Sequence, residues 1–359
     1  MLESDLVNQI AAWMETNVMV STALATIGAA ALLIAALVAF FFGVKGIASF
    51  FGSGGASTRT IRRAGQEPGY RVLLGEFDGG QSSASRDIIE QSLEDHLAEF
   101  SFGAQFRTFR VKGVRGRPEG AALDGARRRL KKTGADMIVW GARQGDGEEA
   151  LRIYGVSRGG SRLPSQAHVF TLRIPGKLRI YSEPMRRVVA YLLAKRLQPA
   201  LGRPEAFRAE KIAELGATLD TLLDVFEAED GPALPAGAQR EVETDFSGIT
   251  LHLTESGPRP EWIDKLIERR RATLEELKDV PDAEAQIDAR LDLGQALLKR
   301  SETAFDPVGV REASVHLNAA IDALRQHDTI RKAQRASDGL QRAKSLVETR
   351  RRFAVNFSA

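Results

Sequence analysis

Two hydrophobic periodicities divide the chain. Residues 18–44, VMVSTALATIGAAALLIAALVAFFFGV, fall in a stretch with no charged residue between Glu15 and Lys45, and they are apolar on every side of a helix. About 20 such residues at roughly 1.5 Å each cover a bilayer core of about 30 Å. The pattern therefore predicts a single N-terminal transmembrane helix at 18–44, after a short tail at 1–17. From residue 70 short apolar runs alternate with amphipathic ones. RVLLGEF at 71–77 reads as a buried strand closed by Asp78, Gly79 and Gly80. Ser83 or Ser85 can cap a following helix with Ile88, Ile89, Leu93 and Leu97 on one face and Asp87, Glu90, Glu94 and Asp95 opposite. Residues 105–111 alternate as a strand, 123–132 give a second helix, and ADMIVWG at 135–141 is another buried strand. Residues 151–156 and 168–174 alternate again, and 184–197 form a helix with Val188, Val189, Leu192 and Leu193 inward. Elements in this order predict an α/β sandwich with a mixed sheet over 70–202.

The rest reads as all-α. Phe207, Ile212, Leu215, Leu219, Leu222 and Leu223 stripe a helix, GPALPAG at 231–237 breaks it, and Ile249, Leu251 and Leu253 alternate like a short strand or an ordered linker. Residues 203–259 are thus expected to be a helix and a linker. Four stripes follow over 260–359: Trp262, Ile263, Leu266, Leu274 and Leu277; then Ile287, Leu291, Gly294 and Leu298; then Ala313, Leu317, Ala320 and Leu324; then Ala333, Ala336, Leu340, Ala343 and Val347.

Charge gives the apolar stretch a direction. Glu3, Asp5 and Glu15 precede it, and Lys45, Arg59, Arg62 and Arg63 follow. The positive-inside rule then puts the N-terminus outside a bacterial inner (plasma) membrane and the C-terminal domains in the cytoplasm. A cleaved signal fits less well, because no basic residue precedes an apolar core far longer than about 7–15 residues. A buried core helix is the remaining reading. Trp13 on one side and Phe40, Phe41, Phe42 and Lys45 on the other are expected at the membrane interfaces. Gly28, Ala31 and Ala35 offer a small-residue face for a homo-oligomer. Residues 45–69 have the Gly, Ser and polar content of a flexible juxtamembrane linker, in which Arg59, Arg62 and Arg63 either meet anionic lipid or are plain linker. At 359 residues, with 43% hydrophobic and 27% charged positions, the chain can bury two or three cores, and a net charge of +3 gives no global pull toward nucleic acid.

Two resemblances are carried by particular residues. Val72, Leu73, Leu74 and Phe77, a helix with Leu93 and Leu97, a strand near Phe106 and Phe109, and residues 126–130 leading into Gly134, Ala135, Asp136 and Gly141 resemble the amino-terminal domain of the TolB family over about 70–157. Leu74-Gly75-Glu76 stands where that family usually has a Pro before the Phe. The resemblance implies an α/β fold, and a regulatory or protein-binding role as in multidomain signalling proteins. Leu293, Gly294 and Leu297, followed by Ala313, Leu317 and Ala320, resemble the A and B helices of one tetratricopeptide repeat (TPR). The spacing from Gly294 to Ala313 is longer than the standard repeat, which implies an extra loop holding Phe305, Asp306 and Pro307. A generic helical bundle is the alternative.

Chemistry is not legible. Absence of cysteine removes disulfides, thiol nucleophiles and Cys-based metal sites. His96, His168, His252, His316 and His327 are scattered with no HExxH, there is no GxxxxGK[ST], and the glycines at 52–55 and 159–160 lack a strand-to-helix context. No catalytic, cofactor or metal residue emerges, so an enzyme is not expected. The basic runs at 127–132, 269–271 and 350–352 read first as solvated helix faces, then as lipid contacts. Nucleic acid comes third, because no aromatic interleaves with them. The expectation is a membrane-anchored, non-enzymatic scaffold or adaptor binding protein partners at the cytoplasmic face. The alternative is a tethered sensory module binding a small ligand or nucleotide through the α/β domain.

Overall fold

The computed structural model describes residues 56–64, 68–79, 82–144, 150–159, 167–176, 181–228, 234–253, 260–279, 283–324 and 330–356. The chain divides into Met1–Thr60 and a larger unit, Ile61–Ala359. In the smaller unit the Ser57 hydroxyl accepts the Thr60 amide at 3.2 Å, capping the first turn of helix α1 (Thr58–Ala64).

The larger unit contains one mixed sheet of β1 (Tyr70–Asp78), β2 (Phe106–Arg110), β3 (Met137–Gln144), β4 (Ala150–Ser157) and β5 (His168–Pro175), in the order β2-β1-β3-β4-β5. β1 lies parallel to β2 and β3, while β3, β4 and β5 are antiparallel neighbours. Parallel neighbours need crossovers of a dozen or more residues, supplied by the amphipathic helices α2 (Ser82–Phe100) and α3 (Gly120–Thr133). Side chains alternate across a strand. Val72, Leu74, Met137, Val139, Leu151 and Ile153 therefore meet α2 and α4 (Glu183–Leu197) on one face. Leu73, Ile138 and Trp140 are buried on the other face, which α3 covers through Ala126 and Leu130.

Several of the residues quoted for the TolB resemblance meet across β1 and β3. The register of β1 against β3 shifts between Leu74 and Phe77. Gly75 permits this: a Cβ there would stand 2.9 Å from both Trp140 Cβ and the Val114 carbonyl oxygen. Phe77 then lies against Gly141, where a Cβ would come within 2.5 Å of its ring. Gly134 ends α3 in the left-handed region with φ 71°, and the Asp136 carboxylate accepts the Arg71 amide at 2.8 Å.

Among the described residues six α-helices follow: α5 (Ala209–Glu227), α6 (Ala236–Leu253), α7 (Pro260–Glu276), α8 (Ala283–Thr303), α9 (Pro307–Leu324) and α10 (Ile330–Asn356). Residues 203–259 are thus not a helix and a linker. Residues 241–253 belong to α6, because Val242, Phe246, Ile249 and Leu253 recur at helical spacing and are all buried, whereas Leu251, which made the run look alternating, is only partly so. α5 and α6 share the core beneath the sheet, and Trp262 of α7 completes it. Its ring lies on Gly216, where a Cβ would fall 2.6 Å from Trp262 Cζ3. Ile263, Leu266 and Ile267, one step further along α7, belong instead to the second core with α8, α9 and α10. The expected loop holding Phe305 and Asp306 is present but short. α8 runs on to Thr303, leaving three residues before Pro307, with Asp306 Oδ1 accepting the Val308 amide at 2.9 Å.

The membrane assignment is corrected. Among the described residues no helix is long and apolar enough to cross a membrane, because each long helix is amphipathic and charged on its outer face. The transmembrane helix read at 18–44, with Trp13, Phe40, Phe41, Phe42 and Lys45, lies outside the described residues. The single-pass anchor and the inner-membrane location are therefore not carried forward.

Arg269, Arg270 and Arg271 were read as a solvated face, and the structure makes them interhelical. Arg269 holds Asp220 at 3.1 Å, Asp224 at 2.7 Å and Glu227 at 2.9 Å on α5. Arg270, 4% exposed, donates to Glu243 at 3.0 Å and Ser247 at 2.7 Å on α6 and pairs with Asp292 of α8 at 3.2 Å. Arg271 forks onto Glu312 of α9. Removing one partner of a buried pair leaves an uncompensated charge and costs about 3–5 kcal/mol, whereas an exposed pair is worth at most about 1 kcal/mol. Arg270→Ala should therefore lower the urea midpoint strongly and the adjacent Arg271→Ala scarcely; equal losses would refute the assignment. Gly216→Ala should cost about 1–3 kcal/mol by overpacking against Trp262, read in the same titration.

Candidate functional site

The tetratricopeptide-like residues form one contact. Leu293, Gly294, Leu297, Ala313, Leu317 and Ala320 all lie in the second core or on its wall. Leu317 is the knob: a Cβ on Gly294 of α8 would stand 2.6 Å from its Cγ, and one on Gly339 of α10 2.8 Å from its Cδ1. Two glycines on flanking helices thus let α8 and α10 close on α9 from both sides. Gly339 also meets Gln295, whose amide donates to the Arg335 carbonyl at 3.0 Å.

This approach creates a groove. The last turn of α6 (Leu251, His252), the C-terminal half of α8 (Gln295, Lys299) and one face of α10 (Arg331, Gln334, Arg335, Asp338, Arg342) border about 400 Å³. Arg331, Arg335 and Arg342 face one way because they recur every three to four residues or multiples of that. Four cations line the groove against one carboxylate, Asp338, which is already bonded to Gln334 at 2.8 Å. Arg335 is tied to Asp292 at 3.0 Å and Lys299 to Glu302 at 3.3 Å. Arg331 and Arg342 are exposed and have no partner among the described residues. The groove offers donors and positive charge to an anion, and no nucleophile beside a base.

The other sequence candidates are dispersed. Arg59, Arg62 and Arg63 are exposed on α1, and Arg62 donates to the Lys132 carbonyl at 2.7 Å. His96 pairs with Glu99, His168 sits on β5, His252 borders the groove, and His327 is outside the described residues. No group of three His, Cys, Asp or Glu among the described residues could hold a metal ion. The groove itself was missed because its lining comes from three helices. The spacing of Arg331, Arg335 and Arg342 was the signal available in the sequence.

Comparison with known proteins finds no matching family model, no matching curated protein and no matching solved structure. The two resemblances therefore rest on the residues quoted above.

His316 gives a pH-dependent outcome. Burial lowers its pKa, with Arg290 and Arg271 acting the same way and Glu312, at 3.9 Å, against it. Between that depressed value and the ordinary one of about 6.5 the unfolded chain binds the extra proton and the folded chain does not. Stability should fall as pH drops through this interval, and His316→Gln should remove that share of the loss, as read by denaturant midpoints across the acid range.

Proposed function

We propose that the chain is a non-enzymatic scaffold or adaptor whose helical array binds protein partners by receiving an acidic segment in the basic groove. The observation that supports this is the pair of guanidinium groups without a partner among the described residues, Arg331 and Arg342, flanking a concave surface where cations outnumber carboxylates four to one. Guanidinium groups recognise carboxylates through paired N–H donors. A groove of this size accommodates a few side chains of an extended or helical peptide.

Fluorescence anisotropy with a labelled Glu- and Asp-rich peptide, against a sequence-matched Gln and Asn control, tests the reading. The acidic peptide should bind selectively. The double substitution Arg331→Glu/Arg342→Glu should weaken it by roughly tenfold to a hundredfold per lost charge-assisted contact, with the melting temperature unchanged. Equal binding of both peptides, or no effect of the double substitution, would sink it. A stabilising shift with a nucleotide panel would favour the small-ligand alternative instead.

A further inference from the structure

The third basic run, at 127–132, does not stand alone in the fold. α3 carries Arg127, Arg128, Arg129, Lys131 and Lys132; the segment before it carries Lys112, Arg115 and Arg117; and α1 carries Arg62 and Arg63. Tertiary bonds join these pieces into one surface. The Arg129 guanidinium donates to the Lys112 carbonyl at 2.5 Å, Arg62 to the Lys132 carbonyl at 2.7 Å, and the Trp140 indole N–H to the Gly116 carbonyl at 2.7 Å. Arg62 and Arg129 bond to neutral carbonyls and keep their full charge. Arg63, Lys112, Arg115, Arg117, Arg127, Arg128, Lys131 and Lys132 are exposed, and their charged groups have no partner among the described residues. The only carboxylates of residues 61–64 and 111–133 are Glu119 and Asp124, while Glu76 at the rim accepts the Gly113 amide at 3.0 Å. Ten cations and two carboxylates put these segments at +8 in a chain of net charge +3, so the remainder sums to −5.

Such segregation calls for a polyanion, and the composition of the surface narrows the choice. A stable protein interface centres on apolar or aromatic anchors, and helices that lie on bilayers insert Trp, Phe or Leu. The exposed large hydrophobics of the described residues, Val169, Val308, Val315 and Ile330, are all elsewhere. Single-stranded nucleic acid is held by stacking on aromatics, and residues 61–64 and 111–133 contain none. A double-stranded backbone needs only cations, distributed along its length. The 14 residues of α3 extend about 21 Å at 1.5 Å per residue, a span that presents about six phosphates per strand of a duplex. We infer that the surface formed by Arg62, Arg63, residues 112–117 and α3 binds the phosphate backbone of double-stranded nucleic acid without reading its sequence, at a site separate from the groove on α8 and α10.

The test uses the full chain and a labelled random-sequence DNA duplex of about 25 base pairs, long enough to extend past α3 at about 3.4 Å per step. Binding should weaken by on the order of a thousandfold between about 50 and 200 mM salt, the slope expected for about six phosphate contacts. Arg115→Glu/Arg117→Glu/Arg127→Glu/Arg128→Glu should abolish it at a retained melting temperature. If that variant is misfolded, the milder Lys131→Glu/Lys132→Glu should still lower affinity at least tenfold. Arg331→Glu/Arg342→Glu should leave duplex binding intact. No binding at about 50 mM salt, unchanged binding in both charge-reversed variants, or equal or tighter binding to polyglutamate or to phosphatidylglycerol vesicles would overturn the inference.

Discussion

The larger unit depends on the three arginines in the middle of α7. Consecutive residues on a helix point about 100° apart, since 3.6 residues make a turn, so Arg269, Arg270 and Arg271 must address different neighbours. They reach α5, then α6 and α8, then α9. One turn of helix thereby fixes the position of four others. Trp262, two turns earlier, belongs to the core beneath the sheet, while Ile263, Leu266 and Ile267 belong to the core of the last four helices. α7, like α6, contributes to both cores, and its ion pairs tie them to one another. Desolvating an ion pair offsets much of its Coulomb gain, so the contribution of Arg270 is specificity of arrangement more than net stability.

A second cluster ties α4 to α6. Asp245 accepts the Tyr191 hydroxyl and the Lys195 ammonium, each at 2.6 Å, and Glu241 accepts both arms of Arg196 at 2.8 Å. Burial pushes the Asp245 carboxyl above its usual range, with Lys195 and Tyr191 opposing the shift. Tyr191 is raised for the same first cause, its own burial. These groups face one another inside the protein and are consumed in holding it together. Their perturbed pKa values are thus better read as structural than as marks of a reactive site.

Local pattern exposed the strands and most helices, because burial on one face or on both leaves a period in the sequence. The failures have physical causes. Ile249, Leu251 and Leu253 alternate only because α6 serves two cores, with Ile249 and Leu253 in one and Leu251 against the other. The long spacing from Gly294 to Ala313 is mostly extra helix, since α8 continues to Thr303 and only residues 304–306 separate it from Pro307 of α9. Gly294 was legible as a close-approach position, but its counterpart, Gly339, was not. Leu317 sits between them only after three helices have assembled.

Charge was the least legible property, because a basic run looks the same whether its partners lie across an interface or nowhere. Residues 269–271 and 127–132 are alike in sequence and opposite in structure. Every guanidinium of the first run meets a carboxylate from another helix. In the second run, among the described residues, Arg129 alone has its charged group engaged, and by a neutral carbonyl. Opposite charges within about 4 Å reduce one another's field at a distance, whereas unpaired cations sum over a Debye length of about 8 Å at physiological salt. The first run therefore acts inward on the fold, while the second, joined by Lys112, Arg115, Arg117, Arg62 and Arg63, projects a field into solvent. The difference follows from which segments carry the 47 acidic residues: α5, α6, α8 and α9 bring Asp220, Glu243, Asp292 and Glu312 to α7, whereas residues 111–133 hold only Glu119 and Asp124.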